Sequence, residues 1–363
     1  MIKDILILRV SLMPQISIII PVYNVELYLE QCLNSILEQT FKDIEVICVN
    51  NSSTDKSLEI LEKYAQKDKR LRIFTEENKG PGSGRNKGLD EATGKYVLFV
   101  DADDFVDIDL CQTLYEESEK NNLDVCSCDY LFYHNKTNTV SPRSKALQLD
   151  CRYDLDRANG DTTDDFAKFF FAFSATWLKL IRRDLIEKAS LRFPYGAVED
   201  VPFVVSLGVR CNRIKMLEKP LGYYRVAQTT NISSDASRML IDGIKNFAFL
   251  ENNLRNYGVF EEVKETFLFN KMVLLIGDEK LFAGRLGNIP YDKVQQAYNL
   301  IREDMASLDE RIFNKRNAFF RWKVRRFKRA VAENDFKFPK KLRRLRNIAM
   351  TVLDPYFKLI GRK

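Results

Sequence analysis

Three carboxylates follow a single apolar stretch of the sequence. Residues 96–100, YVLFV, are typical of a strand buried on both faces, and Asp101, Asp103 and Asp104 come directly after them. One aspartate at such a junction often caps the next helix, but three within four residues repel one another unless a cation lies among them. Oxygen ligands of this kind suit Mg²⁺ or Mn²⁺ that also holds a phosphate. The residues alone leave metal binding and helix capping both open.

A glycine-rich segment, ENKGPGSGRNKG at 77–88, is a second candidate. It has neither the G-x-G-x-x-G spacing of a dinucleotide-binding loop nor the G-x-x-x-x-G-K-[ST] spacing of a P-loop. Two interpretations remain. The segment is either a flexible turn or a loop in which Lys79, Arg85 and Lys87 donate hydrogen bonds to an anionic nucleotide.

The adjacent acids Glu199 and Asp200 precede Pro202 and an apolar run. Such a pair is usual in a solvated loop or at a helix N-terminus, where negative charge is favourable. Close to a substrate hydroxyl, one of the two carboxylates could instead act as a general base. Trp177 has two interpretations as well, because a tryptophan is more often a core residue than a surface on which a sugar stacks.

Histidine and cysteine chemistry is not indicated. The only histidine, His134, lies in a polar stretch, which argues against His-rich metal centres and a Ser-His relay. The seven cysteines are irregularly spaced and mostly within apolar runs, as expected of core residues in a reducing compartment. Cys126 and Cys128 have no second pair, so no zinc site is predicted.

Strand and helix patterns alternate along the N-terminal half of the chain. This alternation predicts an α/β fold built around a mainly parallel sheet. In open sheets of this kind, ligands bind outside the carboxyl ends of the strands. The candidate segments PVYN (21–24), NNSSTD (50–55), the glycine-rich segment and DADD (101–104) follow the strands predicted at 16–20, 44–49, 72–75 and 96–100, and a fifth strand is predicted at 124–133. Residues 166–187 have a helical or mixed pattern.

Taken in order, these motifs closely resemble those of the family 2 glycosyltransferases, inverting enzymes with the GT-A fold. The resemblance runs from residue 15 to about 226 and ends with ATWLKLIRRDLIE, VEDVPF and YYR. It implies a single Rossmann-like, mainly parallel sheet flanked by helices, followed by a helical C-terminal extension. The expected division is a leader at 1–14, the GT-A domain at 15–235, a helical extension at 236–310 and a basic amphipathic tail at 311–363.

The resemblance also assigns roles to residues. Asp103 would bind Mn²⁺ or Mg²⁺ on the donor diphosphate, Asp101 would lie near the ribose, and Asp104 would support them. Asp200 would be the catalytic base, with Glu199 as its neighbour and Trp177 as an aromatic on the acceptor side. Residues expected to bind the nucleotide are Pro21, Tyr23, Asn24, Asn51, Asp55 and Arg85, the last from its place in the glycine-rich segment.

Asn51 departs from the family pattern, because many members have an aspartate that accepts the uracil N3 hydrogen. An amide oxygen can still accept this bond, without the assistance of a charge. A UDP-sugar is therefore the expected donor. The expected acceptor is a glycan or lipid-linked glycan of a bacterial lipopolysaccharide, capsule or other surface polysaccharide. Neither the sugar, the linkage nor the oligomeric state is indicated.

Positive charge is concentrated at the C-terminus. Residues 311–363 contain 18 Lys and Arg against three acids, whereas the whole chain has a net charge of +6. Phe320, Val324, Phe327 and Val331 recur at helical spacing among these basic residues, which suits adsorption to an anionic membrane surface. Packing on the catalytic domain is an alternative, and nucleic-acid contact is a weaker one.

The N-terminal stretch does not resemble a signal peptide. Asp4 and Arg9 interrupt it, and Met13-Pro14 indicates that residues 1–12 are an optional leader. No apolar run is long enough for a spanning helix, so the expected location is cytoplasmic and peripheral on the inner face of the plasma membrane.

Two functions from other classes also remain. An NDP-sugar nucleotidyltransferase has a related sheet, but it normally carries a glycine-rich loop directly after the first strand, where this chain has PVYN. A non-catalytic basic binding protein would account for the tail and leave the acidic residues unexplained.

Overall fold

The computed structural model describes residues 13–142, 153–226 and 236–276. Within these ranges ten strands form one sheet, in the order β3-β2-β1-β4-β9-β6-β10-β5, with β7 paired to β6 and β8 paired to β10. The strands are β1 Ile16–Val22, β2 Ile44–Asn50, β3 Leu71–Thr75, β4 Tyr96–Phe99, β5 Phe105–Val106, β6 Val125–His134, β7 Thr139–Pro142, β8 Asp154–Asp156, β9 Lys179–Arg182 and β10 Arg213–Val226.

The central strands are parallel and apolar. β1 pairs in parallel with β2 and β4, and β2 pairs in parallel with β3. Nearly every side chain of β1, β2 and β4 is buried, because helices cover both faces of the sheet. The predicted α/β class and mainly parallel sheet are thus confirmed. β9 is an exception, since it runs antiparallel between β4 and β6.

Helices connect these strands. They are α1 Leu29–Leu37, α2 Ser57–Lys67, α3 Pro81–Glu91, α4 Leu110–Asn121, α5 Thr163–Ala172, α6 Arg183–Lys188, α7 Asp200–Gly208, α8 Ala236–Asn256 and α9 Phe260–Ile276. The sequence predicts helical runs near 26–38, 55–66, 84–92 and 107–120, and the first four helices match them to within a few residues at each end. α1 buries Leu29, Cys32, Leu33 and Ile36 against the sheet, a spacing that places all four on one face.

The glycine-rich segment is mostly helix rather than a turn or an open loop. Gly80 has φ 101°, and Pro81 then occupies the first turn of α3, where its missing N–H costs nothing. The glycines allow close packing: a Cβ on Gly84 would lie 2.5 Å from Asn51 Oδ1, and one on Gly88 would overlap Ile19. α3 therefore lies directly against the carboxyl ends of the sheet.

The described residues divide into two compact units. One comprises 13–226 and 245–266, and the other comprises 236–244 and 267–276. In the first, Asn246 Nδ2 donates to Ala197 O at 2.7 Å and Asn253 Nδ2 donates to Ser206 Oγ at 3.1 Å, which fastens the later part of α8 to the segment around α7. Residues 1–12 of the predicted leader, residues 277–310 of the predicted helical extension and the whole predicted tail 311–363 lie outside the described residues. Of the helices described, none combines the length and apolarity needed to cross a membrane.

Candidate active site

The acidic turn, residues 101–104, follows the end of β4 with one residue, Val100, between them. Its backbone closes with a hydrogen bond from Asp104 N to Asp101 O at 3.0 Å. Asp101 is partly exposed, whereas Asp104 is 1% exposed and its Oδ1 accepts from Arg225 N at 2.8 Å. The turn therefore carries one carboxylate directed into the protein and others nearer the surface.

Arg85 connects this turn to the Glu199–Asp200 pair. Its guanidinium, 5% exposed, lies in the first part of α3. Nη2 donates to Asp101 Oδ1 at 2.9 Å. Nη1 donates to Glu199 Oε1 at 2.6 Å and lies 3.1 Å from Asp200 Oδ1. One planar fork thus joins carboxylates that are 16, 114 and 115 positions away along the chain, a geometry for which arginine is suited.

Asp200 is the first residue of α7, and Glu199 precedes it. Asp200 Oδ1 also accepts a hydrogen bond from Thr176 Oγ1 at 2.5 Å. Glu199 is buried, while Asp200 is partly exposed. Of the two adjacent acids, Asp200 is therefore the one that a ligand can reach.

The cluster carries more negative than positive charge. Burial is the main reason that the pKa of Glu199 is raised, and the charge of Asp200 adds to it. Burial also raises the pKa of Asp101, against the opposing effect of Arg85, and raises that of Asp104, with help from Asp103. Burial acts to lower the pKa of Arg85, but the three surrounding acids raise it further, so the guanidinium stays charged. A cluster with more negative than positive charge attracts cations and protons.

The donor set of the acidic turn fits a divalent cation. Asp104 Oδ2 is buried and has no hydrogen-bond partner among the described residues, and a carboxylate oxygen is a ligand that Mg²⁺ and Mn²⁺ prefer. Within the ranges that the structure describes, no three His, Cys, Asp or Glu side chains are placed to hold a metal together. A cation here would take only one or two ligands from the protein and the others from a phosphate, as Mg²⁺ commonly does.

Arg225, near the end of β10, supports the acidic turn from behind. Its Nε donates to Asp103 O at 2.7 Å and its Nη2 donates to Gln31 Oε1 at 2.7 Å. The guanidinium lies 4.7 Å from the Tyr28 ring centre and 5.1 Å from that of Tyr133. Arg225 belongs to the YYR motif of the sequence. No sequence pattern predicts that Gln31 contacts Arg225 or that Thr176 contacts Asp200.

The predicted nucleotide residues lie at the ends of β1 and β2. Asn24 Oδ1 accepts from Thr54 N at 2.8 Å, and Asp55 Oδ2 accepts from Glu26 N at 3.0 Å, so both side chains join the loop after β1 to the loop after β2. Pro21 lies within β1, and the Tyr23 side chain is exposed beyond it. Asn51 Nδ2 donates to Gly80 O at 3.2 Å, while its Oδ1 is buried and has no hydrogen-bond partner in the part of the chain that the structure describes.

Other predicted residues lie apart from the Arg85 cluster. Lys79 pairs with Glu77 at 2.9 Å and Lys87 with Glu91 at 2.7 Å. Trp177 is 6% exposed and packs against the rings of Tyr130 and Tyr224, which is the geometry of a core residue. Its Nε1 has no hydrogen-bond partner within the described ranges.

Comparisons with known proteins agree with this architecture. The model of glycosyl transferase family 2 matches residues 17–188. The chain is 38% identical over 217 residues to glycosyltransferase EpsJ of Bacillus subtilis, covering 59% of this chain and 62% of EpsJ. It is 30% identical over 267 residues to the cholesterol galactosyltransferase of Borreliella burgdorferi, covering 72% of each.

Among solved structures, S. aureus TarS residues 1–349 in complex with UDP matches with a TM-score of 0.64 at 22% identity, over 89% of this chain and 93% of that one. At this identity the match establishes the shared fold. The expected GT-A architecture is thereby confirmed.

Proposed function

The chain belongs to glycosyl transferase family 2, and from this premise we propose that it transfers a sugar from a UDP-sugar to a hydroxyl of a glycan acceptor in cell-surface polysaccharide synthesis. The observation that carries the proposal is the cluster around Arg85. It holds Asp101, expected on the donor side, and Asp200, the expected base, on one guanidinium. The residues proposed for the donor side and for the acceptor side of the reaction thus contact the same arginine.

The reaction that this arrangement supports is a single displacement. Asp200 accepts the proton of the acceptor hydroxyl as that oxygen forms a bond to the anomeric carbon of the donor. The bond from the anomeric carbon to the diphosphate breaks on the opposite face, and its electron pair leaves with UDP. The transition state resembles an oxocarbenium ion, and the configuration at the anomeric carbon inverts.

Asp103 is the residue that would hold Mn²⁺ or Mg²⁺, with Asp104 beside it. Such a cation would supply positive charge to the leaving diphosphate. The protein supports this position through Arg225, which fixes the carbonyl of Asp103 and one carboxylate oxygen of Asp104. The turn is thus held rigid before any ligand arrives.

UDP is the proposed nucleotide on two grounds. The unpartnered Oδ1 of Asn51 can accept the uracil N3 hydrogen, and the TarS fold has been solved in complex with UDP and with UDP-GlcNAc. Among sugars we favour a galactose or glucose type. The cholesterol galactosyltransferase named above is consistent with galactose.

The acceptor that we propose is a lipid-linked glycan at the inner face of the plasma membrane. The support is the net positive charge of residues 311–363, since each Lys or Arg near an anionic bilayer contributes about 1 kcal/mol to adsorption.

The test is release of UDP from UDP-Gal, UDP-GalNAc, UDP-Glc and UDP-GlcNAc in the presence of Mn²⁺, with and without acceptor glycans. Asp200→Asn should lower the transfer rate by about 100-fold or more, because a general base is lost, and should leave UDP affinity unchanged by calorimetry. Asp184→Asn, at an exposed carboxylate paired with Lys188, is the matched control and should retain full activity. No UDP release from any donor would contradict the proposal, and joint loss of transfer and UDP binding in Asp200→Asn would contradict the role of Asp200.

A further inference from the structure

The two oxygens of Asp200 are in different environments. Oδ1 receives Thr176 Oγ1 at 2.5 Å and lies 3.1 Å from Arg85 Nη1. Oδ2 accepts no hydrogen bond from any residue that the structure describes, on a side chain that is 27% exposed. One oxygen is therefore held by the protein, and the other, on a partly exposed side chain, is the one that remains for a ligand.

Thr176 is fully buried, and its hydroxyl has a single hydrogen. Because that hydrogen is donated to Asp200, the rotation of the Asp200 carboxylate is restrained. Arg85 adds a second restraint from α3, and the same guanidinium binds Asp101 at 2.9 Å. The orientation of Asp200 is thus linked to a carboxylate at the end of β4.

The backbone on both sides of this contact is strained. Leu178 has φ 58° and Val198 has φ 64°, in the left-handed region that side chains other than Gly and Asn rarely adopt. Leu178 lies two residues after Thr176, and Val198 lies two residues before Asp200. Residues in such conformations cluster at functional sites, where the surrounding structure enforces them. The strain indicates that the approach of Thr176 to Asp200 is built into the fold.

The charged groups that face Asp200 are Arg85 from α3, Glu199 from its own segment and Asp101 from the acidic turn. Two of these three are acids. Thr176 donates a hydrogen bond to Asp200, and Arg85 forms an ion pair with it at 3.1 Å. Without these two partners, the Asp200 carboxylate would be repelled by both acids and would rotate away from them.

We propose that Thr176 and Arg85 are positioning residues that hold Oδ1 of Asp200 and so leave Oδ2 as the oxygen that receives the acceptor proton. This inference rests on the proposed function. It adds to that function two residues that touch the base rather than the substrate. A purely structural role for Thr176 would predict loss of stability without a selective loss of turnover.

The test compares Thr176→Val with Thr176→Ser. Val has a similar shape but no hydroxyl, whereas Ser retains the donor. Because a hydrogen bond to a charged group is lost, Thr176→Val should lower kcat about 10-fold or more, with the KM for the UDP-sugar and the UDP affinity unchanged. Thr176→Ser should recover most of the kcat. Unchanged kcat in Thr176→Val, a change confined to the donor KM, or no recovery in Thr176→Ser would overturn the inference.

Arg85→Lys provides a second variant. Lysine keeps the charge but lacks the planar fork that reaches Asp101 and Asp200 together, so kcat should fall at least as far as in Thr176→Val. Arg192→Lys, at an exposed arginine paired with Asp90, is the control and should be fully active. Full activity of Arg85→Lys would count against the inference. If thermal melting shows that Arg85→Lys does not fold, the kcat values of the two Thr176 variants test the inference by themselves.

Failure of this inference can be separated from failure of the proposed function by adding Asp200→Asn to the series. If Asp200→Asn keeps its transfer rate, the base itself is wrongly assigned. If Asp200→Asn is inactive and Thr176→Val is fully active, only the positioning role fails.

Discussion

Gly84 shows how a residue without a side chain can determine the surroundings of Asn51, which we propose binds uracil. A Cβ at this position would lie 2.5 Å from Oδ1 and 2.9 Å from Nδ2 of Asn51. The contact explains why glycine occupies the helix despite its low helix propensity. Asn51 is 2% exposed, so its amide can move only if neighbouring groups are disturbed.

We therefore predict that Gly84→Ala weakens UDP binding. Forcing a methyl group against Asn51 costs roughly 1–3 kcal/mol and displaces the amide, so the UDP dissociation constant should rise about 10-fold or more. Isothermal titration calorimetry measures it. Asp90→Ala, on the exposed part of the same helix, should bind UDP as the wild type does. Unchanged UDP affinity in a folded Gly84→Ala protein would remove Asn51 from the nucleotide pocket.

The sequence predicted the residue types of the site better than their contacts. Asp101, Asp103 and Asp200 were chosen as candidate site residues from the motifs and their order. Arg85 was expected to contact the nucleotide. In the structure its Nη1 and Nη2 atoms contact the carboxylates of Asp101, Glu199 and Asp200. Its partners depend on how closely α3 packs on the sheet, which no local pattern specifies. Thr176 lies in the ATWLKLIRRDLIE motif, but nothing in that motif indicates its contact with Asp200.

Among the elements, β2 is fastened to its neighbours through one buried carboxylate. Glu45 Oε1 accepts from Ser17 Oγ on β1 and from Thr93 N, each at 2.7 Å, and Oε2 accepts from Arg72 on β3 at 2.9 Å. Burial, the largest single influence, acts to raise the pKa of Glu45, but these hydrogen bonds together lower it. Glu45 therefore links β1, β3 and the turn before β4.

We predict that Glu45→Gln lowers the free energy of unfolding by about 2 kcal/mol at pH 7, since charge-assisted hydrogen bonds are lost. The folded-state pKa is lowered, so this contribution is present above the ordinary glutamate pKa and is lost as the pH falls through the lower value. Urea denaturation of both proteins at pH 7 and near pH 3 measures it.

The difference between wild type and Glu45→Gln should thus shrink in acid. Comparing the two proteins cancels the opposite contributions of Asp101, Asp104 and Glu199, whose raised pKa values favour the folded state as the pH falls. Glu62→Gln, at an exposed position on α2, should have no effect at either pH. A difference that grows on acidification would show that Glu45 is not held as a carboxylate.

The central elements were predictable because long apolar runs in βαβ alternation specify a parallel sheet. β1, β2 and β4 begin at or very near their predicted residues. β9 was not predicted, since KLIR is a four-residue run inside a segment with a mixed pattern. Its antiparallel place between β4 and β6 depends on contacts distant in sequence. The long β10 was missed for a related reason, because Pro220 and Gly222 interrupt its pattern where the register shifts.

For the whole molecule, the sequence shows an uneven distribution of charge. Residues 311–363 are strongly basic, and the other 310 residues have a net negative charge. The acidic turn and the cluster around Arg85 belong to the first unit. The tail lies outside the described residues. Membrane adsorption by the tail therefore remains a prediction from composition.

We predict that deleting residues 311–363 abolishes binding to vesicles containing anionic phospholipid, while UDP release in the absence of vesicles is retained. Flotation of the full chain and of the truncated chain measures the first, and the UDP-release assay measures the second. Neutral phosphatidylcholine vesicles are the control and should bind neither protein. Equal flotation of both proteins with anionic vesicles would contradict the role of the tail.

The account depends most on a donor diphosphate lying at the acidic turn after β4. Its most direct test is a crystal structure grown with UDP and Mn²⁺, with anomalous diffraction to locate the manganese. We expect one anomalous peak bound by the Asp103 carboxylate and the diphosphate, with the uracil near Asn51. Manganese and UDP bound elsewhere, with Asp103 contacting neither, would contradict the account.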